Sequence, residues 1–250
     1  MFDAKKTKDE IVEWIREWFE VNGKDCKAVI GISGGKDSSV VAALCTEALG
    51  KDRVYGVLMP QGRQRDIDYS HMLCHFLDIQ YQIFSIGTIV NTAEYEIKTT
   101  LDMELSDQAR INLPARIRMA TLYAVSQTVN GRVANTCNLS ETLLSWETRW
   151  GDAVGDFSPL ADLTVAEVKA IGYELGLPSE LIEKVPSDGL CGNTDEEAMG
   201  IKYSVMDKYV RTGEIDDLKM KEKIDKRLEQ YRFKRSPIPY FETGMERYVN

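Results

Sequence analysis

The segment Ser33-Gly34-Gly35-Lys36-Asp37-Ser38-Ser39 holds the side chains best suited to chemistry on a phosphate. Glycines let the backbone turn tightly and approach an anion with no side chain in the way. A helix beginning just after them presents unpaired N–H groups and the positive end of its dipole, a ready site for an anion. Ser33, Ser38 and Ser39 add hydroxyl donors. Asp37 is the odd member, since a carboxylate beside bound phosphates is repulsive. A Mg²⁺ ion would remove that penalty, because hard oxygen ligands together with substrate phosphates suit it. The plainer alternative is a Ser-Gly-Gly turn in which Asp37 merely suits a helix N-terminus. A Walker loop has Lys followed by Ser or Thr at the helix start; here Lys36 precedes Asp37, so the segment is not one.

Such a loop needs a strand before it and a helix behind it. The run from Lys27 to Ile32 is apolar, as a buried parallel strand is, and a helix is predicted from about Ser38 to Leu49. Arg53 to Met59 reads as a second strand closed by Pro60 and Gly62, Asp66 to Leu77 as a helix, and Tyr81 to Phe84 as a third strand. This β-α-β-α-β order predicts an α/β fold with a doubly wound parallel sheet and helices on both faces. Helical stretches near Ile89–Leu101 and Asp107–Thr128 and a fourth strand around Arg132–Asn135 follow. From about Leu163 the chain reads as helical, broken at Pro178, Pro186, Gly189 and Gly192. No linker separates the halves, so residues 1–250 are expected to form one domain. Its parts are an N-terminal helix over 1–24, a nucleotide-binding core over 25–162 and a helical part over 163–250.

With 31 basic and 40 acidic side chains the formal charge is −9, which repels nucleic acid unless a basic patch is concentrated somewhere. Lys219 to Arg235 is the one candidate patch, and Glu222, Asp225 and Glu229 interrupt it, as on a solvated helix face. No apolar stretch approaches the roughly 20 residues of a membrane span, and the N-terminus lacks a secretory pattern. Five cysteines, an odd number without a close pair, suit a reduced, cytoplasmic setting. Ile11, Trp14, Ile15, Trp18 and Phe19 recur at helical spacing, a packing face either within the protein or against a partner subunit. Asp68, His71 and His75 share a helix face beside Cys74, but two His at i and i+4 on an amphipathic helix are more often incidental than a metal site. The chain has no other His, which leaves little material for Ser-His or Cys-His nucleophilic catalysis.

At a strand–helix junction, SGGKDSS resembles the SGGxDS pyrophosphate loop of the ATP pyrophosphatases, which split ATP between its α- and β-phosphates to activate a substrate as an adenylate. Further stretches are similar to ammonia-dependent NAD synthetase in particular. One is Ala115-Arg116-Ile117-Arg118-Met119 with Tyr123; another is Asn135-Thr136-Cys137-Asn138-Leu139-Ser140-Glu141. A third is Thr148-Arg149-Trp150-Gly151-Asp152 with Asp156. The last joins Lys184-Val185-Pro186-Ser187 to Thr194-Asp195-Glu196-Glu197, Gly200 and Tyr203.

The resemblance implies an adenine nucleotide alpha hydrolase-like, Rossmann-like fold whose residues 25–162 are the ATP pyrophosphatase core. It implies a carbon–nitrogen ligase that adenylates the carboxylate of deamido-NAD and amidates it with ammonia, giving NAD, AMP and pyrophosphate. ATP, the co-substrate, would lie on Gly31, Ile32, Ser33, Gly34, Gly35, Lys36, Asp37 and Ser38, with Thr136 and Ser187 adding contacts. Asp37 and Glu141 would hold Mg²⁺. Arg116, Arg149, Asp156, Phe233 and Lys234 would contact deamido-NAD, and no residue would act as a covalent nucleophile. A cytoplasmic homodimer is implied, with no nucleic-acid or membrane partner.

The chain departs from the family's pattern at several of these places. Asn135 stands where relatives usually have Gly, Arg149 where they have Lys, Val165 where many have a phosphate-contacting Lys, and Phe233 where the tail has His. Lys36 is a candidate source of the charge that Val165 lacks. Two other readings stay open: another adenylating enzyme of this class (GMP synthetase-like or tRNA-modifying), and a non-catalytic nucleotide-binding module of the same topology, which needs neither Asp37 nor Glu141.

Overall fold

The computed structural model of the chain describes residues 2–64, 66–184 and 194–246. Four parallel strands, β1 (Lys27–Gly31), β2 (Val54–Leu58), β3 (Gln80–Ile83) and β4 (Gly131–Val133), form a sheet in the order β3-β2-β1-β4. Helices α1 (Ala4–Asn22) and α2 (Lys36–Leu49) flank β1, and α3 (Ile67–Leu77) precedes β3. Between β3 and β4 run α4 (Gly87–Leu101) and α5 (Asp107–Thr128). After the sheet come α6 (Leu139–Leu144), α7 (Val165–Glu174), α8 (Ser179–Ile182) and α9 (Asp195–Met199). The chain then forms α10 (Tyr203–Thr212), α11 (Leu218–Gln230) and α12 (Arg232–Arg235).

The period-two alternation of β1 explains the layering. Ala28 and Ile30 enter a core shared with Phe19 of α1, Leu44 of α2 and Ile171 of α7. Val29 turns to the other face, with Tyr55, Val57 and the α5 side chains Leu122 and Val125. Helices therefore cover both faces, and the fold is the expected doubly wound one. Ile15 and Phe19 are fully buried, so the apolar stripe of α1 packs within the chain, while Trp14 at its edge stays exposed. Leu144, Val165, Tyr203, Met206 and Ile224 form a second core that joins α6, α7, α10 and α11.

Several boundaries differ from the sequence expectation. Helix α2 begins at Lys36 rather than Ser38, because Gly35 is the last extended residue (φ −89°, ψ 167°). Strand β4 stops at Val133; Ala134 makes only a single parallel bridge, to Phe157, and Asn135 turns its side chain into loop bracing. Pro186, Ser187, Gly189, Cys191 and Gly192 lie outside the described residues. No described helix is long and apolar enough to cross a membrane.

The strand order sets the position of the site. From β1 the chain moves outward to β2 and β3, then returns to β4 on the opposite side of β1. The loops after β1 and after β4 therefore leave the sheet in opposite senses and open a crevice at the carboxyl edge, where open α/β sheets bind ligands. Residues 32–37 form one wall and residues 134–141 the other.

Candidate active site

The glycine loop is built as its sequence suggests. Gly34 adopts φ +72°, and a Cβ there would come within 2.8 Å of Ser70 N and Tyr69 Cβ on α3. Only glycine meets both demands. The Ser38 hydroxyl accepts from Ser33 N (3.3 Å) and donates to Gly35 O (3.2 Å), while Ser39 Oγ donates to Gly35 O at 2.7 Å. Gly35 caps α2 without any side-chain bond, so the first turn of this helix keeps N–H groups for an anion. Gly31 and Ile32 close β1, with Ile32 N bonded to Val57 O.

Across the crevice, Asn138 caps α6. Its Oδ1 accepts from Glu141 N (3.0 Å), and its Nδ2 donates to Asp37 Oδ1 (2.9 Å). One amide thus fixes both carboxylates, Glu141 through the helix it opens and Asp37 directly. The Asn138…Glu141 spacing is an N-cap signature that sequence reading could have used. Glu141 is no exposed surface glutamate; its side chain is largely buried and paired with Lys36.

Lys36 Nζ stands between the two acids, 2.6 Å from Asp37 Oδ2 and 3.3 Å from Glu141 Oε1, with only 3% of the side chain exposed. Burial pulls the ammonium toward neutrality, but Asp37 and Glu141 outweigh it and raise its pKa. Burial first and then Asp37 push the Glu141 carboxyl above its usual range, against the pull of Lys36 and Asn138. The Tyr203 ring lies 5.9 Å from Lys36 Nζ, and its buried hydroxyl has no hydrogen-bond partner among the described residues.

Two hard carboxylates that converge on one cation, beside N–H groups free to hold phosphate, fit Mg²⁺. Among the described residues no group of three metal-ligating side chains gathers anywhere, so further ligands here would be phosphate oxygens and water. His71 and His75 are turned toward Tyr81. His71 Nδ1 bonds to Tyr81 OH (3.1 Å), and both imidazoles lie edge-on to that ring.

A second group of candidate residues meets beyond α6. The Arg149 guanidinium lies 4.9 Å from the Trp150 ring and 5.6 Å from the Phe233 ring. Two of the departures from the family pattern are therefore neighbours. Lys234 Nζ donates to the carbonyls of Ser145 and Glu147, both at 2.9 Å, and Arg235 reaches Leu143 O, which ties α12 to the end of α6. Arg116 is exposed on α5, close enough to Lys234 to repel it. Arg118 points elsewhere, donating to Met59 O at 3.1 Å. The 148–152 loop is anchored on α5, since Thr148 Oγ1 bonds to Asn112 Oδ1 at 3.0 Å. Glu147, 5% exposed, is pushed up to about 7 by burial, and its Oε2 has no partner among the described residues.

The remaining candidates divide. Asp156 Oδ2 accepts from Val133 N (2.7 Å) and Oδ1 from Tyr123 OH (3.4 Å), so this carboxylate secures the end of β4 and leaves one oxygen partly open. Thr136 is half-buried on the crevice wall. Ser187 lies outside the described residues. Asn135 is buried with both ends of its amide used. It donates to the carbonyls of Asp152 and Val154 and accepts from Cys137 N and Ser158 Oγ. Gly155 packs against it with no room for a Cβ. Val165 belongs to the second core beside Tyr203. Gly200 ends α9 at φ +60°, and Thr194 with Glu197 makes its capping box, which accounts for much of that stretch structurally.

The family model described as NAD synthase matches residues 7–238. The chain is 41% identical over 221 residues to an NH(3)-dependent NAD(+) synthetase of Thermococcus sibiricus, covering 88% of this chain and 84% of that one. Among solved structures it is similar to an NMN synthetase from Francisella tularensis (TM-score 0.85, 29% identity, 96% and 100% of the two chains). It is also similar to an NH3-dependent NAD synthetase from Campylobacter jejuni (TM-score 0.77, 28% identity, 97% and 100%).

Proposed function

The chain belongs to the NAD synthase family, and we propose that it makes NAD from deamido-NAD, ATP and ammonia by way of an acyl adenylate. It is a carbon–nitrogen ligase. The observation that carries the mechanism is the convergence of Asp37 and Glu141 on one cation beside the uncapped start of α2. ATP lies with its β- and γ-phosphates on residues 33–38, and Thr136 adds a contact from the opposite wall. Asp37 and Glu141 would hold Mg²⁺, which would supply charge neutralisation for the phosphates and the departing pyrophosphate. Arg116, Arg149, Phe233 and Lys234 orient the dinucleotide, with Asp156 holding a polar group farther along. A nicotinate carboxylate oxygen bonds to the α-phosphorus as the bond to the β-phosphate oxygen breaks, releasing pyrophosphate. Ammonia then bonds to the acyl carbon, AMP leaves with its electron pair, and one proton is lost. No side chain becomes covalently attached, so the protein contributes orientation and fixed charge.

The parts are read as one unit, because the α7–α12 segment supplies Tyr203 beside Lys36 and Lys234 to the end of α6. A cytoplasmic homodimer completes the reading. Ile89, Ala93, Ile97 and Leu101 lie at i+4 steps along α4, and the three large side chains are exposed at 49%, 39% and 61%, an apolar flank suited to a second copy.

A second reading follows from the Francisella tularensis likeness: the amidated acid is the nicotinate mononucleotide, giving NMN. Incubation with ATP, ammonia and either acid separates the two. The first reading expects pyrophosphate release with deamido-NAD at a kcat/KM well above that with the mononucleotide. The reverse order would replace it with the second, and release with neither acid would remove both.

A further inference from the structure

We propose that Lys36 is a displaceable counter-ion that occupies the metal position in the nucleotide-free protein, and so makes divalent-metal binding depend on ATP. The inference deepens the proposed function and rests on its assignment of Asp37 and Glu141 to the metal.

Lys36 is the first residue of α2, and its ammonium reaches both carboxylates, at 2.6 and 3.3 Å. Its side chain is 3% exposed and flanked by the Tyr203 ring, so no water shell replaces a lost partner cheaply. Asn138 fixes Asp37 from the opposite side, which leaves the two acids little freedom to separate. A divalent ion a few ångströms from a buried ammonium is strongly repelled, so the carboxylates hold one cation or the other. Metal alone must expel Lys36 from its partners and offers the ammonium nothing in return. ATP changes the balance, since its phosphates seat on the adjoining loop and give Lys36 a new anion within reach of the same stem. Metal and nucleotide thus help each other bind, and the coupling is reciprocal. The device also keeps two buried carboxylates from facing one another uncompensated before substrates arrive.

The test measures Mn²⁺, as an EPR-visible probe, binding to the purified protein with and without α,β-methylene-ATP. In the wild type, Mn²⁺ alone is expected to bind weakly and to leave the thermal midpoint unchanged. Lys36→Met and Lys36→Gln are expected to bind Mn²⁺ alone about tenfold tighter or more, to gain thermal stability from Mn²⁺ alone, and to lose most of the cooperativity with the nucleotide. Lys36→Arg, which keeps the charge, is expected to behave as the wild type. Equal Mn²⁺ affinity in wild type and both neutral variants, or weaker binding in the variants, overturns the proposal. Should the neutral variants fail to fold, tight Mn²⁺ binding by the wild type without nucleotide overturns it equally, and its absence there together with tight binding beside α,β-methylene-ATP upholds it. None of these affinities depends on which acid is amidated. Failure of deamido-NAD turnover with the metal results intact would therefore count against the functional reading alone.

Discussion

Gly34 shows how strictly one position is fixed: its left-handed φ and its contact with α3 exclude any Cβ. Gly34→Ala is expected to cost about 1–3 kcal/mol in urea unfolding and to abolish nucleotide binding. Glu147 is the opposite case, a buried carboxylate whose pKa rises from 4.5 to about 7 because it is desolvated. A carboxylate with a raised folded pKa penalises folding once the unfolded chain ionises. The penalty is absent below about pH 4.5, grows between 4.5 and about 7, and is complete above that. Glu147→Gln is therefore expected to stabilise the protein at pH 8 by up to about 3 kcal/mol and to have little effect near pH 4.5. Denaturant unfolding at the two pH values checks this, and a gain confined to acid pH would contradict it.

At the scale of elements, α6 and α12 meet through the Lys234 and Arg235 bonds to carbonyls at the α6 end, and this junction carries the Arg149–Phe233 contact. Arg in place of Lys and Phe in place of His read as separate departures in the sequence, yet the fold makes them one contact in which a flat cation faces an aromatic ring. Arg149→Lys and Phe233→His are each expected to raise the KM for the acid substrate several-fold and leave that for ATP largely unchanged. The double variant should recover part of the loss; strict additivity of the two effects would show that the residues act separately.

The same elements show what the sequence made legible. The sheet and its first helices are readable because β1 and β2 are apolar runs bounded by turn residues, and the Ser33–Ser39 loop because its glycines, hydroxyls and acid stand together at a strand–helix junction. The role of Asn138 is not legible in sequence, because it lies in a bond to Asp37, 101 positions away. Lys36 was visible as a charge, but its burial between two acids arises only when the β4 loop folds back across β1. Strand β4 ends two residues before its sequence suggests, because Asn135, which reads as a strand end, spends its amide on the 152–158 loop.

For the whole molecule, the exposed flank of α4 is large for a surface that faces only water. Leu101→Asp is expected to convert a dimer to monomer in size-exclusion chromatography with light scattering, while circular dichroism stays unchanged. A monomeric wild type would remove the flank from the account. Against the acidic total charge, cations are gathered locally, with Arg116 and Arg149 near Lys234 in one group and Lys36 apart from them. This division suits a reaction in which an acid and a nucleotide, both anionic, must meet.

Adenylation of a carboxylate is the step on which everything else depends, and isotope transfer reports it directly. The protein is supplied with ATP, ammonia and deamido-NAD carrying ¹⁸O in both nicotinate carboxylate oxygens, and the phosphorus products are analysed by mass spectrometry. The expected result is one ¹⁸O in the phosphate of AMP, none in pyrophosphate, and one retained in the amide of NAD. Label in orthophosphate released alongside ADP, or AMP formed without label, would contradict the account.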